Sequence, residues 1–198
     1  MMQYDVIYAD PPWSYNDPGA IRRFSGTRKG RADAHYGTEG VQDLAAMRPM
    51  IDEWAAPDCA LLMWGTWPKL PEHLALGQAW GFEWVTCALL WCKTYASDQQ
   101  WLSLARGQQI RPYCGMGFYT RSGSEFCGLW RRGKPLVPAD RTIRQVIHAP
   151  VREHSRKPDE ARHSIEAMWP DARRIEMFAR TTTPGWDAWG NETEKFSG

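Results

Sequence analysis

Hydrophobic positions alternate between two periods along the chain. Gln3 to Ala9 is a short run of β-formers, with Val6, Ile7 and Tyr8 at its centre, and predicts a buried strand. It stops at Asp10-Pro11-Pro12-Trp13. Residues 14–37 are polar and rich in Gly and Arg, and read as a loop. Leu44, Met47, Ile51 and Trp54 then recur at helical spacing. Ala60 to Trp64 predicts a second strand. Pro68 opens a helix carrying Leu70, Leu74 and Gly77 and ended by Gly81. Trp84 to Lys93 is an apolar run of strand type, followed by a polar loop from Tyr95 to Tyr113. Gly117 to Thr120 and Phe126 to Trp130 flank a Ser-Gly-Ser turn and predict a hairpin. Arg131 to Arg141 reads as a loop and Gln145 to His148 as a strand. Pro158 starts a helix with Ala161, Ile165 and Met168 on one face, Arg174 to Ala179 is a further strand, and the chain ends in coil. Strands alternating with helices predict an α/β sheet covered on both faces. With 198 residues and no visible linker, one domain over residues 1–198 is expected.

Composition narrows the class. Hydrophobic residues make up 43% and charged residues 24%, which suits a packed globular chain rather than a disordered one. The formal charge of +1 announces neither a nucleic-acid nor a membrane partner, although a local basic patch fits a neutral chain. No apolar run approaches the roughly 20 residues of a spanning helix, and the start carries no signal pattern, so a cytoplasmic location is expected. The five cysteines form no Cys-x-x-Cys pair and are read as reduced core thiols; no metal site is expected from them or from His35, His148, His154 and His163. Twelve tryptophans are unusual for this length. Most should fill the core, and some can stack on a base.

The chemistry concentrates at Asp10-Pro11-Pro12-Trp13, straight after the first strand. Ligands of open α/β sheets lie outside the carboxyl ends of the strands. A carboxylate there accepts hydrogen bonds from an amine, the prolines stiffen the turn and leave carbonyls to accept, and an indole offers a face to a flat base. That set suits methylation of an exocyclic amine. The same four residues also suit a proline-rich turn capped by Asp10.

The order of further motifs decides between the two. Tyr36-Gly37-Thr38, Leu61-Leu62-Met63-Trp64, Leu90-Trp91-Cys92-Lys93-Thr94, Glu125-Phe126-Cys127, Ser155-Arg156-Lys157-Pro158-Asp159-Glu160, Ile175-Glu176-Met177-Phe178-Ala179-Arg180, Gly185-Trp186 and Gly190-Asn191-Glu192 follow the tetrad nearly to the chain end. In this the sequence resembles the seventy-kilodalton-subunit family of N6-adenine methyltransferases. The resemblance implies a Rossmann-like class I methyltransferase sheet with a permuted motif order, the catalytic tetrad preceding the cofactor-binding motifs. It implies S-adenosylmethionine as cofactor and no metal. Asp10, Pro11, Pro12 and Trp13 would be catalytic, with Asp10 also near the cofactor's amino group. Lys157, Arg180, Asn191 and Glu192 would hold the cofactor, and Tyr36 and Glu125 would line the target-adenine pocket. The family often has glutamine where this chain has Glu192. The segment from Arg180 to Trp186 is shorter than in the nuclear messenger-RNA enzymes, which leaves ribose contacts from Thr181 to Thr183 open. Only nine residues precede Asp10, so adenine-ring contacts are sought at Gln3 or Asp5.

DNA is the expected substrate and RNA the alternative, with a homodimer as a route to a longer nucleic-acid surface. A catalytically idle nucleic-acid-binding subunit is the reading from another class; such relatives usually lose the aspartate that this chain keeps. Two basic runs, Arg22 to Arg31 and Arg131 to Arg144, are candidates for phosphate contact.

Overall fold

The computed structural model describes residues 3–13, 40–95, 112–117, 119–134, 136–152 and 156–190. In chain order these form β1 (Tyr4–Ala9), α1 (Val41–Ala45), α2 (Arg48–Trp54), β2 (Ala55–Gly65), a 3-10 turn (Trp67–Lys69), α3 (Leu70–Ala79), β3 (Glu83–Thr94), β4 (Ser124–Arg132), β5 (Val146–Pro150), α4 (Asp159–Met168), β6 (Arg174–Met177) and β7 (Asp187–Trp189). Seven strands make one sheet in the order β5-β3-β4-β2-β1-β6-β7. β4 is antiparallel to both its neighbours, and every other pairing is parallel.

Position in the sheet explains the apolar runs. β1 lies between β2 and β6 in mid-sheet with a hydrophobic cluster on each face, and Val6, Ile7, Tyr8 and Ala9 are all buried. A parallel interior strand reads as continuous hydrophobicity rather than alternation for this reason. Ile7, Ala9, Leu61, Met63 and Trp130 face α1–α3 through Leu44, Ile51 and Leu76. Val6, Tyr8, Leu62, Trp64 and Cys127 face α4 through Ala161 and Ile165. Helices on both faces are therefore observed as expected. Trp13, Trp64, Trp80, Trp91, Trp130, Trp169 and Trp186 are buried, so the tryptophan excess is largely core. Each indole removes on the order of 200 Å² from water, a gross gain of about 5 kcal/mol. The packing leaves no slack around Trp130: a Cβ on Gly77 of α3 would stand 2.5 Å from its ring.

Four expectations change. The helical pattern at Leu44–Trp54 is two short helices, broken at Ala46-Met47 just before Pro49, whose ring cannot continue α1 but suits the first turn of α2. β2 begins at Ala55, five residues earlier than Ala60. Among the described residues, no strand pairing joins Gly117–Thr120 to Phe126–Trp130. Phe126, Cys127 and Trp130 are buried and take β2 and β3 as partners, whereas Tyr119 is 93% exposed and has no sheet to join. Finally, the terminal coil contains β7, which pairs with β6. All five cysteines are free thiols. Among the described residues, no helix is long and apolar enough to cross a membrane.

Candidate active site

The end of β1 is built to stop abruptly. Asp10 follows four buried residues, and the two prolines cannot donate to a ladder. The turn closes on itself, with the Trp13 amide donating to the Pro11 carbonyl at 2.8 Å. That carbonyl keeps a second lone pair for a ligand. Trp13 differs from its sequence reading. Its ring is 6% exposed, its Nε1 donates to the Trp64 carbonyl at 3.0 Å, and it packs 6.1 Å from the His73 ring. A buried indole N–H needs an acceptor, and the end of β2 supplies one. Trp13 pins the turn to the core and leaves little ring face for a base.

Sheet topology then gathers four charges at this edge. Asp10 ends β1, Lys93 lies near the end of β3, Glu125 near the start of the reversed β4, and Lys157 just before α4. Lys157 Nζ is 2.7 Å from Asp10 Oδ2 and 3.4 Å from Glu125 Oε2, and Lys93 Nζ is 2.5 Å from Glu125 Oε1. The four side chains are 10–20% exposed, so solvent screens them little yet a ligand can reach them. Burial pushes the Lys157 ammonium down, but Asp10 and Glu125 outweigh it and hold it above the ordinary lysine range. Burial pushes Glu125 up, and Lys157 and Lys93 outweigh that and hold it below the ordinary carboxylate range. Lys157 and Glu125 therefore both stay ionised at neutral pH. Arg152 steadies the Lys157 segment, donating to the Lys157 carbonyl at 2.6 Å and pairing with Asp159 at 2.7 Å. Lys93 was given no role from sequence, although it stands in the Leu90–Thr94 motif and closes an apolar strand.

On the α4 side of Asp10 and Lys157 is a pocket also lined by Tyr8, Arg156, Arg162, Glu176, Phe178, Arg180 and Thr181. Glu176 is 8% exposed and is gripped by both ends of the Arg162 guanidinium at 2.8 Å each. Arg162, one α4 turn after Pro158, is thus the partner of Glu176, and Arg180 lines the pocket. Phe178 ends β6 with φ of 60°, a left-handed conformation uncommon for a bulky residue and frequent where a chain bends around a ligand. Gly190 packs against the Phe178–Ala179 turn. A Cβ there would meet the Ala179 carbonyl oxygen at 2.6 Å, so only glycine lets the two turns touch.

Asp10, Pro11, Pro12, Trp13, Glu125, Lys157 and Arg180 therefore converge on one edge. Tyr36, Asn191 and Glu192 lie outside the described residues, as does the Arg22–Arg31 run. Asp5 and Gln3 are at the opposite end of β1, where Asp5 accepts from the Arg173 amide at 2.9 Å, so they cannot serve a ligand beside Asp10. The second basic run starts at that same opposite end, because β4 is reversed. Arg131 pairs with Glu83 and Arg132 with Asp52, at 2.8 and 2.7 Å. Both arginines therefore have carboxylate partners at that end.

An α/β sheet with a carboxylate-led proline turn and an adjoining charged pocket at its carboxyl edge defines a Rossmann-like protein of the methyltransferase class. The particular group follows from comparison. The MT-A70 family model matches residues 4–192, and the chain belongs to that family. It is 32% identical to the type II methyltransferase M.MunI of a Mycoplasma species, over 96% of this chain and 78% of that protein. It is 28% identical to human N(6)-adenine-specific methyltransferase METTL4 and 26% identical to the human N(6)-adenosine-methyltransferase catalytic subunit METTL3. Those matches cover 98% and 97% of this chain but only 38% and 28% of the two human proteins.

Proposed function

We propose that this protein is an S-adenosylmethionine-dependent methyltransferase acting on the N6 amine of adenine in DNA, through one catalytic domain. The observation that carries the reading is the Asp10–Lys157–Glu125 cluster beside the proline turn. The exocyclic amine of adenine is a weak nucleophile because its lone pair is delocalised into the ring. Asp10 and the free lone pair of the Pro11 carbonyl accept its two N–H groups and favour a pyramidal nitrogen. Lys157 fixes the Asp10 carboxylate, and Glu125 presents a second acceptor or an anchor to the base edge.

The pocket chemistry fits the cofactor. Its amino-acid end carries one cation and one anion, and Asp10, Arg180 and the third N–H of Lys157 match them in sign. The Phe178 turn and the Gly190 contact shape the cradle. When bound, S-adenosylmethionine supplies an electrophilic methyl group on sulfonium sulfur. The chain's part is to orient the amine in line with it, and orientation accounts for much of such a rate gain. The nitrogen gains one methyl and then loses one proton to water, so no strong general base is needed. A target in duplex DNA has to be extruded from the stack to reach Asp10.

The match to the type II methyltransferase, which extends over 78% of that protein, supports DNA as the substrate. The adenosine-named relatives make RNA the second reading. The test is incubation with S-adenosylmethionine and matched duplex DNA, single-stranded DNA and RNA, then digestion and mass spectrometry. N6-methyladenine is expected in DNA and should vanish with Asp10→Ala. Product only in RNA would move the assignment to the second reading. Cofactor binding with no product on any strand would favour a subunit that needs a partner.

A further inference from the structure

Trp67 stands apart from the buried tryptophans. It opens the 3-10 turn after β2 and is 49% exposed. It is also fixed from two directions. Its Nε1 donates to Ser124 Oγ at 2.9 Å, and its ring lies 4.9 Å from the Phe126 ring at an interplanar angle of 41°. Phe126 beneath it is 1% exposed and packs on His73. One face of the indole is therefore held on the core while the ring remains half open to solvent. With the N–H already satisfied, what it offers outward is a flat π-surface.

Its position gives that surface a use. β2 and β4 pair as far as Gly65 opposite Phe126. Thr66 and Trp67 then run beside Glu125 and Ser124, at the edge that carries Asp10. The residue anchoring the indole is thus the chain neighbour of Glu125. The loop entering β4 adds exposed Met116, Tyr119 and Arg121 to the approach. Trp13, the aromatic expected to meet a base, is sealed in the core.

We infer that Trp67 is a stacking subsite for an unpaired nucleobase of the substrate strand, next to the adenine held at Asp10. This rests on the function proposed above. An adenine drawn out of the stack leaves its neighbour with an uncovered face, and an immobilised indole at the rim takes that face at little entropic cost. Stacking on an aromatic is tolerant of base identity, so the subsite adds affinity without dictating a sequence.

The experiment uses the full chain with fluorescein-labelled single-stranded DNA containing adenine, read by anisotropy at fixed salt. Trp67→Leu keeps an apolar cover over Phe126 but has no π-face; Trp67→Phe keeps both. The expected result is a rise in Kd of about five- to a hundredfold for Trp67→Leu and a small rise for Trp67→Phe. S-adenosylmethionine affinity, measured by calorimetry without nucleic acid, should match wild type in both variants. Wild-type DNA affinity in Trp67→Leu would overturn the inference. So would equal weakening in Leu and Phe variants that still bind cofactor, since the indole would then be a structural lid. If wild type binds DNA through Trp67 but methylates no adenine, the stacking subsite stands and the proposed activity fails.

Discussion

His73 gives the fold a pH dependence whose size can be worked out. It lies on α3 with no exposed surface, and its Nε2 is 3.0 Å from the Met63 carbonyl. Its Nδ1 is buried with no hydrogen-bond partner among the described residues. The rings of Trp13, Trp84, Phe126 and Trp130 surround the imidazole. Burial therefore drives its pKa down, the Met63 carbonyl opposes this only in part, and the value falls from 6.5 to about 4. Above pH 6.5 the ring is neutral in both folded and unfolded chains and costs nothing. As pH falls below 6.5 the unfolded chain takes up a proton that the folded one refuses. Stability is lost until about pH 4, where the folded ring also titrates. A separation of about 2.5 pH units corresponds to about 3.4 kcal/mol, about three quarters of it gone by pH 4.5. Small domains hold only about 5–15 kcal/mol, so the loss is large. The comparison is His73→Gln, whose side-chain amide can still donate to Met63 but does not titrate. Urea unfolding from pH 7.5 to 4.5 should show wild type losing about 2.5 kcal/mol more than the variant. Parallel decline of the two proteins would refute the argument and mean that water or a second acceptor reaches Nδ1.

Other consequences can be measured directly. Lys93→Met leaves Glu125 with Lys157 alone, so its carboxyl rises toward the ordinary range and the acid limb of the methylation pH profile should move to higher pH; Lys93→Arg should restore it. Arg162→Gln strands the buried Glu176 carboxylate without its two charge-assisted bonds, and calorimetry should register a loss of about 3–5 kcal/mol. Gly77→Ala drives a methyl group to 2.5 Å from the Trp130 ring, and the overpacking should cost about 1–3 kcal/mol in urea unfolding without altering cofactor affinity.

Much of this was legible in the sequence because burial writes itself into hydrophobic pattern. β1, α3 and α4 are covered on the faces their apolar residues imply, and with β3 they fall close to where the pattern puts them. Local pattern says nothing about partners. Phe126–Trp130 has the composition of one arm of a hairpin, yet it is the reversed strand between β2 and β3, a choice set by the whole sheet. The same limit explains Lys93 and Arg162, which lie 32 and 14 residues from the carboxylates they serve.

The tetrad shows the limit most sharply. Four adjacent letters suggest one device, with a carboxylate to hold an amine and an indole to stack its ring. Folding separates them. Asp10 turns toward Lys157 at the open edge, while Trp13 turns inward to the Trp64 carbonyl and the His73 cage. The aromatic surface inferred to take a base is that of Trp67, which is 54 residues away in sequence, and none of the motifs quoted above contains it. A carboxylate can serve a ligand from a turn because it needs only one open side. A stacking indole needs a rigid backing and an open face together, and here the start of β4 provides the backing through Ser124 and Phe126. The chemistry of the amine can thus be read from the motif, whereas the grip on its neighbours depends on which strand the sheet brings alongside.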